Sequence, residues 1–187
     1  MGGIPVNWLN NILIFVAAFL AVFWEAAFNP VRHLLGAQVD LLPPIMVYAS
    51  LTASFATVAL LALCSGLWFD SLSANPLGIS IAPLFIVGLL IYSQRDLILR
   101  EQIFARVVLG FAASAAAPIM TLLLLLTKGN APLFGWGTVW QLLVMAVGGA
   151  LATVVLFEVF NWLNRHLGPP KVAESSFRED REIRRGK

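Results

Sequence analysis

The sequence predicts an all-α fold of membrane-spanning helices, and three observations lead there. Of the 187 residues, 59% are hydrophobic and only 12% charged, where a soluble domain normally carries roughly 25% charged residues. Mean hydropathy is +0.85. The charged residues also divide the chain into five uncharged runs, Met1 to Trp24, Leu41 to Phe69, Ser71 to Gln94, Val107 to Thr127 and Gly129 to Phe157. Each is about 21 to 29 residues long, and a helix needs roughly 20 to cross a hydrocarbon core of about 30 Å. The stretches VAAFLAVFW, LFIVGLLIY and MTLLLLL do not alternate in polarity, as the strands of a membrane barrel would. The expected architecture is a polytopic helical bundle of five or six helices over residues 1–168, followed by a charged tail, 169–187, that is solvated and disordered when alone.

The first run has no basic leading segment and no small-residue cleavage site after its apolar stretch, so it reads as a retained helix from about Trp8 to Phe28, closed by Asn29-Pro30. The second run is about 43 Å long as one helix, too long without strong tilt and too short for two full crossings. A split into two short helices is therefore one option. Thr52, Ser54 and Thr57 cluster near its middle, where hydroxyls either satisfy a break in the backbone or bond back to their own helix. Pro83 and Pro118 fall inside the third and fourth runs, which predicts a kink in each. The last run leads through FEVFNWLNR into the tail.

Basic residues in short connections favour the cytoplasmic side. Arg95, Arg100 and Arg106 lie between the third and fourth runs, and Arg165, Lys171, Arg178, Arg181, Arg184, Arg185 and Lys187 follow the last. The first loop and the C-terminus are thus expected to be cytoplasmic, and the Asp70 to Gly78 connection to lie on the outer side. The N-terminus falls outside if the second run crosses once and inside if it crosses twice.

Composition and spacing argue against several function classes. A formal net charge of +2 is too small for a nucleic-acid binder. Cys64 has no partner for a disulfide, and two histidines, His33 and His166, give no metal-ligand spacing. No acid, base or nucleophile pair and no phosphate-cradling glycine loop is evident, so neither an enzyme nor a cofactor is expected. Small residues recur at helix-packing intervals, including Gly110 with Ser114 and Gly149 with Thr153, which predicts close helix contacts.

Charged groups within apolar runs cost several kcal/mol unless paired or hydrated, which makes Glu25, Asp70 and Glu158 candidates. Glu25 is within snorkelling reach of the interface. Glu158, Asn161 and Arg165 share one helical face, suited either to packing or to partner contact. The most informative run is Gly66-Leu-Trp-Phe-Asp70-Ser71-Leu-Ser73-Ala-Asn-Pro76-Leu77-Gly78. It ends one helix, sets a carboxylate at the membrane surface and makes a tight turn, with Ser73 and Asn75 able to cap the next helix and Pro76 suited to its first turn.

This run resembles the signature of the MreD family of bacterial rod shape-determining membrane proteins, with Gly66, Asp70, Ser73, Pro76, Leu77 and Gly78 in register. Asp40-Leu-Leu-Pro43-Pro44 opening the second run and the basic loop with Arg95 and Arg100 extend the likeness to the overall layout. Ala74, where the family usually has glycine, the shortened second run and the long tail after Gly168 depart from it. The resemblance implies a non-enzymatic subunit of the cell-elongation machinery in the bacterial inner membrane. It would bind MreC and support lateral peptidoglycan synthesis with RodA, its penicillin-binding transpeptidase and the MreB filament. Asp70 and its turn would then either lock the bundle or face MreC. The competing class is a substrate-binding membrane subunit of an energy-coupling-factor-like transporter, which should show convergent polar groups deep in the bilayer. The third and fourth runs offer little there beyond Ser80, Ser114 and Thr121.

Overall fold

The structure is a computed structural model that describes residues 8–27, 36–73, 76–96, 102–127 and 135–167. The charged tail, Arg100, Ala74 and Asn75 and the Asn29-Pro30 closure lie outside the described residues. Six α-helices and no strand occur among the described residues: α1 (Trp8–Ala27), α2 (Leu42–Thr52), α3 (Phe55–Leu72), α4 (Ile81–Gln94), α5 (Ile103–Thr127) and α6 (Trp136–Leu167). Four of them, α1, α3, α5 and α6, are long and apolar enough to cross a membrane, and α2 and α4 are shorter apolar helices. The molecule is a polytopic membrane helical bundle. Its outer surface carries exposed Trp8, Phe19, Phe23, Leu90, Leu123 and Leu151, which in water would be an untenable apolar surface and in lipid is the favoured one.

The second hydrophobic run is split. Ala53 and Ser54 are extended, with ψ of 178° and 159°. The break satisfies itself from both sides, since the Thr52 hydroxyl donates back to the Tyr48 carbonyl at 2.8 Å and Ser54 Oγ accepts the Thr57 N–H at 3.3 Å. Arg95, just past α4, donates to the freed Ala53 carbonyl at 3.3 Å. Irregular backbone at membrane depth is tolerated only where protein groups supply such partners. The chain reverses at this break, which gives six helices where the sequence left five or six open.

Helix α2 is the centre of the bundle. Every residue from Leu42 to Leu51 is buried, the pattern of a helix apolar all round and enclosed on all sides. Its N-terminus starts with Pro43 and Pro44, whose missing N–H groups fall where no intrahelical acceptor exists. The remaining donors go to carboxylates: Glu25 accepts the Leu41 N–H at 2.6 Å and Asp40 accepts the Leu42 N–H at 2.8 Å. Negative charge at a helix N-terminus also complements the helix dipole.

The two long final helices pack through small residues. A Cβ added at Gly110 would meet the Thr153 side chain, and one at Gly149 would meet Ser114, so the α5–α6 seam needs both glycines to let the backbones approach. The predicted small-residue intervals are thus one antiparallel contact. Pro118 lies inside α5, whereas Pro83 falls in the first turn of α4, where its absent N–H breaks no helical bond. The kink expected from Pro83 is therefore corrected. Helix α3 continues past Asp70 to Leu72, and α6 runs through Glu158, as expected of the last span, to Leu167. Paired and capped charges do not end a helix.

The antiparallel contacts divide the molecule into two ends. At one end the start of α1 meets the end of α6, where Asn164 Nδ2 donates to Asn10 Oδ1 at 3.0 Å; Arg95, Arg106 and Arg165 belong to this basic end. Glu25, Asp40, Asp70 and Ser80 mark the opposite, acidic end.

Candidate interaction sites

Three polar assemblies interrupt the apolar bundle. The first is the α3–α4 connection at the acidic end. Asp70 is 2% exposed, and its two oxygens accept the Ser80 hydroxyl at 2.6 Å and the Ser80 N–H at 3.1 Å. A buried carboxylate demands such paired donors. Gly66, one turn earlier, lies against the Ile81 backbone, where a Cβ would come within 2.9 Å of its Cα. Gly78 has φ of +86°, a left-handed conformation open chiefly to glycine. Pro76 offers its carbonyl to the Ile79 N–H at 3.3 Å.

The Asp70 carboxylate lies near the end of α3 and is turned into the bundle, where it joins α3 to the start of α4. These positions correct two expectations. Ser73 is the C-cap of α3, with its hydroxyl directed to the Asp70 carbonyl; Ser80 stands at the start of α4 instead. Pro76 lies in the turn before α4 and not in its first turn. Asn75 lies outside the described residues.

The second assembly is on the basic end of α6. Glu158, Asn161 and Arg165 line one shallow groove with Val159 and Trp162, as their helical spacing predicts. Glu158 accepts Arg106 Nη1 at 3.2 Å, an exposed carboxylate over a guanidinium whose side chain is only 11% exposed. The Arg106 guanidinium carbon also lies 4.8 Å from the centre of the Phe157 ring, a favourable cation–π distance. Sequence reasoning treated Arg106 only as a loop charge. Its spacing to Glu158 is 52 residues, and no local pattern signals such a pair. Behind this groove Tyr48, Asn10 and Asn164 form a mutual hydrogen-bond cluster with distances of 3.0 to 3.2 Å, joining α1, α2 and α6. Tyr48 stacks on Phe160 with centroids 4.2 Å apart.

The third is a cavity of about 420 Å³ at the acidic end, between α2, α4, α5 and α6. Leu122, Leu125, Leu142 and Met145 supply apolar wall, and Asp40 and Gln141 are polar groups on it. Glu25, expected to snorkel outward, is instead buried at 6% exposure beside the start of α2. No cluster of three metal-ligating side chains occurs among the described residues. No protein-family model, curated protein or solved structure matches this chain.

Proposed function

We propose that the chain is a non-enzymatic membrane subunit of the bacterial cell-elongation complex, of the MreD kind, which binds MreC and supports lateral peptidoglycan synthesis. The single observation that carries this reading is that the residues of the resembling run have coupled structural tasks. Gly66 permits close approach to Ile81, Asp70 grips Ser80, and Gly78 takes the left-handed turn. A signature made of mutually dependent positions marks a built element and not a chance string of residues.

In this reading the basic end of the bundle faces the cytoplasm, so both chain ends lie there in the bacterial inner membrane. Asp70 then holds the outer connection in one shape for MreC. The groove with Glu158 and Asn161 offers a lateral contact near the cytoplasmic head groups, within reach of RodA, its transpeptidase or the MreB filament. Bound partners, not turnover, provide the activity.

The test is replacement of the corresponding gene in a rod-shaped bacterium by this chain, tagged, with purification in mild detergent. The expected result is rod-shaped cells and recovery of an MreC protein with the tagged chain. Round cells with no MreC recovered overturn the proposal. The cavity beside Asp40 favours a second reading, a substrate-binding subunit of a transporter. Retention of a vitamin-sized solute by the purified protein would rank that reading first.

A further inference from the structure

The cavity at the acidic end holds a polar group that the fold leaves unused. Gln141 lies in the second turn of α6, on a membrane-spanning helix, and its amide has no hydrogen-bond partner among the described residues. Gln141 is half-buried on the cavity wall, and its amide can both donate to and accept from a group that enters the cavity. Across the same cavity stands Asp40. One of its oxygens accepts the Leu42 N–H at 2.8 Å, and the other has no hydrogen-bond partner among the described residues. Glu25 lies close enough to interact electrostatically with Asp40. No lysine or arginine lines the cavity among the described residues. Burial pushes the Asp40 carboxyl up to about 6, so at neutral pH its charge is held at a cost that a bound cation offsets.

The lining is also graded along the bundle. Asp40 and Ser80 lie just before the starts of α2 and α4 and Thr138 in the first turn of α6, while Pro118, Leu122 and Met145 reach deeper. Pro118 has no N–H to give the Ser114 carbonyl, so one bond of the helical ladder is absent where α5 passes the cavity. A volume of about 420 Å³ is within the usual range for small-molecule sites, roughly 300 to 1,000 Å³.

We infer that this cavity binds a membrane phospholipid bearing a primary ammonium head, with the ammonium on Asp40 and Gln141 and an acyl chain along Leu122, Leu125 and Met145. The negative charge of the site excludes a purely anionic head. A trimethylammonium head has no N–H to donate, and so forms neither hydrogen bond. The inference is independent of the proposed partner, because it rests on the cavity alone.

The full chain is reconstituted in nanodiscs of phosphatidylethanolamine with phosphatidylglycerol, or of phosphatidylcholine with phosphatidylglycerol. Lipid retained on release is identified by native mass spectrometry. Retention of phosphatidylethanolamine about tenfold over either other lipid is expected, the worth of one charge-assisted hydrogen bond. Asp40→Asn and Gln141→Leu should each remove that preference, and Leu151→Ala, on the exposed side of α6, should keep it. Thermal melting of each variant confirms folding. Equal retention of the three lipids overturns the inference, as does a preference that survives both substitutions. Recovery of the cavity filled by a partner's helix, with no lipid retained, also overturns it.

Discussion

Asp70 closes on Ser80 through both of its oxygens, one taking the hydroxyl and the other the backbone N–H, so a single carboxylate fixes the start of α4 against the end of α3. Both partners are buried, which places the pair where water cannot replace a lost bond. Asp70→Ala should lower unfolding stability in detergent by about 2 to 3 kcal/mol, and Ser80→Ala by about 1. Membrane insertion should persist, as measured by fractionation, and on the proposed function rod shape is impaired. Normal rods with Asp70→Ala as the only copy would remove any functional role for the turn.

Arg106 and Glu158 form a pair of unequal exposure, 11% and 68% by side chain. Removing the carboxylate leaves a mostly buried guanidinium without it, so Glu158→Gln should destabilise more than the double change Arg106→Met with Glu158→Gln. A double-mutant cycle by thermal unfolding measures the coupling, expected at about 1 kcal/mol. Additive effects would show that the pair is a surface coincidence.

The α5–α6 seam predicts a sharp contrast between glycines. Gly149→Val drives a side chain into Ser114 and should cost about 1 to 3 kcal/mol. Gly137→Ala meets nothing within 4 Å and should be neutral or slightly stabilising, since alanine favours helix. Melting temperatures of the two variants check this.

Asp40 predicts a dependence on pH. Its carboxyl is raised from 3.8 to about 6 by burial. The folded state therefore binds more protons than the unfolded one between about pH 4 and 6, and stability falls as pH rises through that window. Asp40→Asn should flatten this part of the curve. An unchanged slope in the variant would assign the effect elsewhere.

The reversal at Ala53–Ser54 predicts that the two chain ends lie on one side of the membrane. Reporter fusions at each terminus should give the same side. Opposite sides would restore the single crossing of the second run.

The helical class and four of the six helices were legible because long uncharged runs have one low-energy answer in lipid, to satisfy their backbone internally. The split of the second run was half legible, through Thr52, Ser54 and Thr57, because local hydroxyls advertise a break. Its third support, Arg95 on the Ala53 carbonyl, comes from 42 residues away and leaves no local trace. Glu158 and Asn161 were found by periodicity. Asp70 was found by pattern, but its donor, Ser80, ten residues further along, was not, because no local spacing signals that bond. Glu25, Asp40 and Gln141 each depend on tertiary neighbours, which neither charge nor spacing reveals.

The central position of α2 bears on how the protein is made. Its 11 residues rise about 16 Å, too little to settle alone in the hydrocarbon. Its two ends draw their hydrogen bonds from Glu25 and Arg95, which flank it by many residues in the chain. During synthesis the segment has its first carboxylate at hand when it emerges, but its last guanidinium is still to be translated. The bonds that close the two ends of α2 are therefore complete only once the residues through Arg95 have been made. Assembly of this protein is a matter of timing as much as of greasiness.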